Sequence, residues 1–450
     1  MSIADKLAAF ATGLPYENIP PLAIDRAKMV IASTVASAAS GRAINSTRAF
    51  IEMSRERGGT TESTVWFDTG PVLPVMDAAR VNAIMSDSAA SDDSDIAAAA
   101  HLGTVTSTAA IAMGERMGSS GRDILAAIVI GYEIGYRIGK RVRPVEVGLH
   151  PGVITIFSAT VAAGRLMKLT AEHMKQAICL AATSIGGSRA AADQSCAREY
   201  DAALSSMLAV TAAMAAARGF TTETKIFELP RGYFEIFKGH DINGLIEGFG
   251  ESWGIIDNLA VKLMPGAWIN HACTEAAWAC AIDGNIRPDD VEKIIVQGKK
   301  SASHRIYHPH DLTTVAHRLP YMAAATVAAT VADRIYTWHH ASPKKFNDPF
   351  IKALQDKVVA AETLSPHAPT GGGSTTVVLK DGRSFSHTFT SPFGSRPRGI
   401  DWKDIDANYR ALTPLGGMLP DTITQSLAAI RQFDASTDAS TLTGLLQTRA

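Results

Sequence analysis

Cysteine is scarce in this sequence. Its 450 residues contain four, Cys179, Cys196, Cys273 and Cys280, with no C-x-x-C pair and no regular spacing. A disulfide-stapled scaffold is therefore excluded, and the thiols read as reduced side chains of a cytoplasmic protein. Surplus charge is missing too: 43 Lys and Arg face 44 Asp and Glu, a net charge of −1 at pH 7. That balance excludes a general nucleic-acid binder and gives no cause to expect an anionic membrane as partner. No apolar run is long. The stretch LSSMLAVTAAMAAARGF continues for only about 14 residues before Arg218, short of the roughly 20 that a membrane span requires. The N-terminal MSIADKLAAFATGLPYENIPP places an acidic and a basic residue ahead of a short apolar run, which is not the layout of a secretory leader. A phosphate loop is lacking as well. The triplet Gly371-Gly372-Gly373 has neither a Lys-Ser/Thr follower nor a G-x-G-x-x-G context, and reads as a flexible linker.

What is present points to a well-buried protein of enzyme size, with 46% hydrophobic and 19% charged residues. The chain is long enough for two domains. From Pro21 to about Met264 apolar residues recur at helical spacing. PLAIDRAKMVIASTVASAASG starts after two prolines and stops at Gly41, as a helix does. GRDILAAIVIGYEIGYRIGKR carries a stripe of Ile124, Leu125, Ile128, Val129 and Ile134 with basic residues in its last turn. GLHPGVITIFSATVAAGRLMKL and Leu204 to Arg218 supply two more such elements.

The character changes after about Asn258. VEKIIVQGKK is a short β-branched run, and STTVVLKDGRSFSHTFT is two alternating runs joined through Asp381-Gly382, a hairpin signal. PYMAAATVAATVADRIYTW between them is helical by period, and IDWKDIDANYRAL and DTITQSLAAIRQF are helical again. The expected fold is mainly α: a large all-helical domain, 1–258 plus 400–450, with an inserted smaller α+β lid domain over 259–399 and a cleft where they meet.

Three histidines sit at element boundaries beside small residues or proline: His101 in AAAAHLGTVTSTAA, His150 in GLHPGVIT and His271 in WINHACTEAA. Helix starts favour anions, since unpaired N–H groups and the dipole point there, so such histidines can meet a carboxylate. Each can equally be a cap or a satisfied core residue. Just before His101, SDSAASDDSD supplies Asp87, Asp92, Asp93 and Asp95, either an acid–base pair with separated pKa values or solvated caps. In SHRIYHPHD, His304, His308 and His310 with Asp311 have spacings a metal could use, but Pro309 breaks any helix that would align them.

Taken together these stretches resemble the MmgE/PrpD family, whose members include 2-methylcitrate dehydratase, cis-aconitate decarboxylase and iminodisuccinate epimerase. GLHPGVITIFSATVAAGRLMKL is similar to the family's G-x-H-P segment and alanine-rich helix, and DDSDIAAAAHLG to its aspartate-rich stretch. KLMPGAWINHACTEAA is similar to K-P-Y-P-C-x-x-x-x-H, which places Lys262, Pro265 and His271. HRLPYMAAATVAAT resembles the S-L-P-Y helix start and places Tyr321, and AARGFTTETKIFE resembles the R-G-F-T-G-P corner. The motifs occur in the family's order over most of the chain. The resemblance implies a large helical domain with an inserted lid, a homodimer, and no metal or organic cofactor.

Three positions depart from the pattern. The lysine of the family's T-K-x-x-H-x-G-x-A-A segment falls on Arg198, with the neighbouring histidine and glycine absent or displaced; Leu102 follows His101 where proline is usual; and the first aspartate of the D-x-D-D-T pattern falls on Ser91. An arginine keeps the positive charge and adds a planar fork, so an anionic substrate is still expected, though not the family's best-known one. The resemblance implies a cofactor-independent lyase, of dehydratase type, acting on a small di- or tricarboxylic acid. Decarboxylation and epimerisation are alternatives, as is a catalytically silent metabolite-binding homologue. His101 and His150 are then the expected acid–base pair. Asp93 would orient His101 or act as a base, Tyr321 would donate a proton, and Lys262, Arg198 and His271 would hold carboxylates.

Overall fold

Helices set the architecture because small apolar residues recur every third or fourth position along most of the chain. The computed structural model describes residues 1–184, 186–299 and 323–447, so Tyr321, His304, His308, His310 and Asp311 lie outside the described residues. The chain divides into two units. One consists of residues 1–88, 92–261 and 402–450, the other of residues 89–91 and 262–401.

The first unit begins with helices α1 (Ile3–Gly13), α2 (Pro21–Gly41), α3 (Asn45–Arg57) and α4 (Val75–Ser88). The two-residue proline start holds for α2, with Pro21 in its first turn. A three-residue strand β1 (Asp93–Asp95) follows, then α5 (Leu102–Met117) and α6 (Gly121–Arg141). Ser120 caps α6 by accepting from the Asp123 N–H, and Lys140 and Arg141 close its last turn. Next come α7 (Gly152–Leu166), α8 (Ala171–Ala181), α9 (Arg189–Gln194) and α10 (Ala197–Ala216). The strand β2 (Leu259–Val261) pairs antiparallel with β1, Asp93 opposite Val261 and Asp95 opposite Leu259. Among the described residues this ribbon is the one sheet of the first unit. Helices Trp402–Leu412, Pro420–Arg431 and Ser440–Leu446 complete the unit.

The core of this unit is where α6 packs on α7 and where α10 packs on both α4 and α7. Helix α10 thus touches the end of α4 and the start of α7 at once. Ser205 on its inner face donates to the Gly152 carbonyl at 3.1 Å, which ties α10 to the first turn of α7.

The second unit carries a four-stranded sheet, β3 (Val291–Gln297), β4 (Val358–Ala360), β5 (Gly373–Leu379) and β6 (Ser384–Phe389), in the order β4-β3-β5-β6. Strands β3 and β4 run parallel; the other pairs are antiparallel. The Asp381-Gly382 turn closes the β5–β6 hairpin, with Gly382 donating to the Leu379 carbonyl at 2.9 Å. Gly371 to Gly373 is no slack linker: Gly372 donates to the His367 carbonyl and Gly373 is already the first residue of β5. Helix Trp268–Asp283 packs on β5 and β6 and against helix Ala323–Asp333. Cys273, Cys280, Ile294, Val327 and Val377 fill the space between. None of the four cysteines is joined in a disulfide. No helix of the described residues is long and apolar enough to cross a membrane.

Candidate active site

The aspartate-rich stretch is not solvated. Asp87, Asp92, Asp93 and Asp95 are all buried, and the folded chain must compensate each of them. Successive residues of an extended segment project to opposite sides, so neighbouring aspartates go to different partners. Asp92 turns toward His101, whose Nδ1 lies 2.6 Å from Asp92 Oδ2; the same oxygen accepts from the Thr104 hydroxyl at 2.9 Å. Asp93 turns the other way, and its two oxygens accept the N–H groups of Gly103 and Thr104 at 2.7 Å each. It caps α5, and the carboxylate that orients His101 is Asp92, one residue before the one singled out from the sequence. Burial, with Asp92 beside it, pushes the Asp93 carboxyl up to about 6 against the pull of these N–H groups. Asp95 is pushed up to about 7 by burial, although Ala97 and Ala98 donate to it.

His101 ends the ribbon loop and stands at the start of α5. With Asp92 accepting at Nδ1, the ring holds its proton there and leaves Nε2 as the basic nitrogen. Arg198 closes on that side, with Nη1 3.5 Å from His101 Nε2. Its fork also grips the last turn of α4: Nη1 is 3.2 Å from Asp87 Oδ1, Nη2 is 3.1 Å from Asp87 Oδ2, and Nη2 donates to the Asp87 carbonyl. The arginine found in place of lysine therefore spans a carboxylate and an imidazole, as a planar two-pronged group can. Asp87, Asp92 and His101 bring one ligand atom each within 4.8 Å of one another. The guanidinium lodged on Asp87 offsets their negative charge and favours an internal ion pair over a cation there.

One helical turn later α10 presents Asp201 on the same face as Arg198. Asp201 Oδ2 lies 3.6 Å from Nδ1 of His150. His150 is held by its backbone: its N–H donates to the Gly187 carbonyl at 2.9 Å, and Arg189 donates to the Gly148 carbonyl at 2.9 Å. Its Nδ1 also accepts the Gly152 N–H at 3.2 Å, which starts α7. Burial, then the Asp87 charge, pushes the Asp201 carboxyl up to about 7. His101 and His150 are thus each set against a carboxylate at the N-terminal end of α10, with Arg198 and Asp87 between the two pairs.

Lys262 and His271 belong to the second unit, where both are buried. Burial, reinforced by the Lys262 charge, pushes His271 down to about 3. His271 is accordingly neutral and offers a hydrogen bond and not a positive charge. A cavity of about 310 Å³ in the first unit is lined by Thr12, Asp123, Arg165 and Lys168, and none of the candidate residues faces it. Asp87 and Asp201 were not singled out as partners of the histidines. The signal for Asp201 was available as its three-residue spacing from Arg198.

The chain is similar to known proteins. Residues 5–244 match the MmgE/PrpD N-terminal domain and residues 265–428 match the MmgE/PrpD C-terminal domain. A human protein named cis-aconitate decarboxylase is 22% identical over an alignment of 466 residues, covering 99% of this chain and 95% of that one. A protein of the same name from Aspergillus terreus is 26% identical over 196 residues, 41% of this chain and 39% of that one.

Proposed function

The chain belongs to the MmgE/PrpD family, and from that premise we propose that it is a cofactor-independent lyase that moves a proton at the carbon α to a carboxylate of a small di- or tricarboxylic acid. The observation that carries this reading is the pair of histidines, His101 on Asp92 and His150 beside Asp201, set at one end of α10 with Arg198 between. A proton α to a carboxylate is weakly acidic, so removing it requires a placed base and positive charge near the developing enediolate. His101, with its proton held on Nδ1 by Asp92, presents Nε2 as a base. His150 is the second acid–base group. Arg198 supplies positive charge, Lys262 holds a carboxylate, and neutral His271 donates to one. Asp93 acts through α5, by fixing the backbone that carries His101. Tyr321 is assigned the proton donor's place on the family motif alone.

Loss of hydroxide is the reaction placed first, with a dimeric enzyme in the cytoplasm. Decarboxylation is the second reading, favoured by the name that the human and fungal relatives carry. One assay separates the outcomes: hydroxylated and unsaturated di- and tricarboxylic acids are incubated in deuterated water, and label uptake, carbon dioxide and alkene absorbance are followed. Deuterium at the α carbon is expected, reduced about 100-fold or more by His150→Gln. An enzyme that gives no label, no carbon dioxide and no alkene with any acid of the series contradicts the proposal.

A further inference from the structure

Asp201 occupies the place that the family segment T-K-x-x-H gives to histidine, three residues beyond Arg198. Its surroundings are specific. Gly187, at φ +135°, lays its backbone across the carboxylate, and a Cβ at that position would come within 2.5 Å of Asp201 Oδ2. Only glycine combines that conformation with that approach. The covered Oδ2 has no hydrogen-bond partner among the described residues, and His150 Nδ1 stands 3.6 Å away. The bond from the His150 N–H to the Gly187 carbonyl ties the two loops together, and that from the Ser205 hydroxyl to the Gly152 carbonyl ties α10 to the first turn of α7, which keeps the two side chains face to face.

We infer that Asp201 is a positioning residue that decides which ring nitrogen of His150 carries the proton, and so whether His150 gives or takes a proton at Nε2. This rests on the acid–base reading of His150 above. When Asp201 is neutral, Nδ1 keeps its lone pair, accepts the Gly152 N–H, and the ring proton sits on Nε2, ready to be given. When Asp201 is ionised, Nδ1–H turns to the carboxylate and Nε2 is a base. As Nε2–H passes to a carbanion, the Asp201 proton moves to Nδ1, leaving a carboxylate and a neutral ring; the reverse transfer accompanies proton abstraction. Among the described residues, the charge that acts on Asp201 is Asp87 from α4, which Arg198 grips one turn earlier on α10. Burial and Asp87 hold the Asp201 carboxyl at about 7, where both of its forms are populated.

The test is nitrogen NMR on protein labelled with ¹⁵N-histidine, with His150 assigned by His150→Gln and titrated from pH 5.5 to 8.5. In the wild type the His150 signals should move from the Nε2–H to the Nδ1–H pattern as pH rises, with a midpoint near 7. In Asp201→Asn, whose amide donates to Nδ1, the Nε2–H pattern should persist throughout. Turnover of whichever acid proves active should fall about 100-fold in kcat with KM changed less than about threefold, and Asp201→Glu should recover part of it. A His150 tautomer that does not change with pH in the wild type, or changes alike in Asp201→Asn, overturns the inference. A tautomer switch in a protein that turns over no carboxylic acid upholds the coupling and removes the enzymatic reading alone.

Discussion

At the scale of single residues, the body of this protein depends on carboxylates kept out of water. Asp95 is the clearest case. Its folded carboxyl, at about 7, stands well above the ordinary 3.8, so the native state binds this proton more tightly than the unfolded chain does. The stabilisation is fully present below pH 4 and is lost as pH rises through 7. Asp95→Asn keeps an oxygen for the Ala97 and Ala98 N–H groups and removes the ionisation. It should therefore be more stable than wild type at pH 8, by on the order of 2 kcal/mol, and lose that advantage at pH 4.5. Urea melts at the two pH values decide this, and a wild type that gains on the variant as pH rises would contradict it. The sequence showed these aspartates as a cluster but not their division of labour. Whether Asp92 or Asp93 faces His101 depends on the ribbon between Asp93–Asp95 and Leu259–Val261, three residues a side, too short to announce itself by alternation.

At the scale of elements, the start of α5 and the first turns of α10 frame the site. Helix α5 has no local cap; Asp93, from the ribbon, accepts its first N–H groups. Gly103 leaves room for that carboxylate, since a Cβ there would lie 2.7 Å from Asp93 Oδ2. Asp93→Ala should cost about 1–2 kcal/mol, as removal of a helix cap does, and should lower turnover by loosening His101. Thermal melts together with rates measure both, and a stability loss without any change in rate would separate the cap from the site. The long helices were legible from the apolar period, from the proline start of α2 and from the basic last turn of α6. The pairing of α10 with α4 and α7 was not, because residues 87, 152 and 198–205 are brought together by packing across long stretches of chain.

At the scale of the whole molecule, the proposal expects a site for carboxylates and a pair of chains. A carboxylic acid that binds the folded protein at a hundred times its dissociation constant should add about 2.7 kcal/mol of stability. A melting-temperature screen of small mono-, di- and tricarboxylic acids should therefore single out members with two or three carboxylates, and Lys262→Ala should abolish the shift. Equal shifts from all acids, or none, would argue against the substrate class. Sedimentation should give twice the 47.7 kDa of one chain. The amino-acid order by itself determined the helical class, the mixed segment after Asn258, the hairpin at Asp381-Gly382 and the inventory of histidines and acids, because periodicity and turn chemistry are local properties. Only the tertiary structure decided that His101 belongs to Asp92, that His150 faces Asp201 and that Arg198 is shared with Asp87. The first pairing follows from the ribbon that leads into α5 and the other two from where α10 crosses α4 and α7, contacts between segments far apart in the chain that no local pattern records.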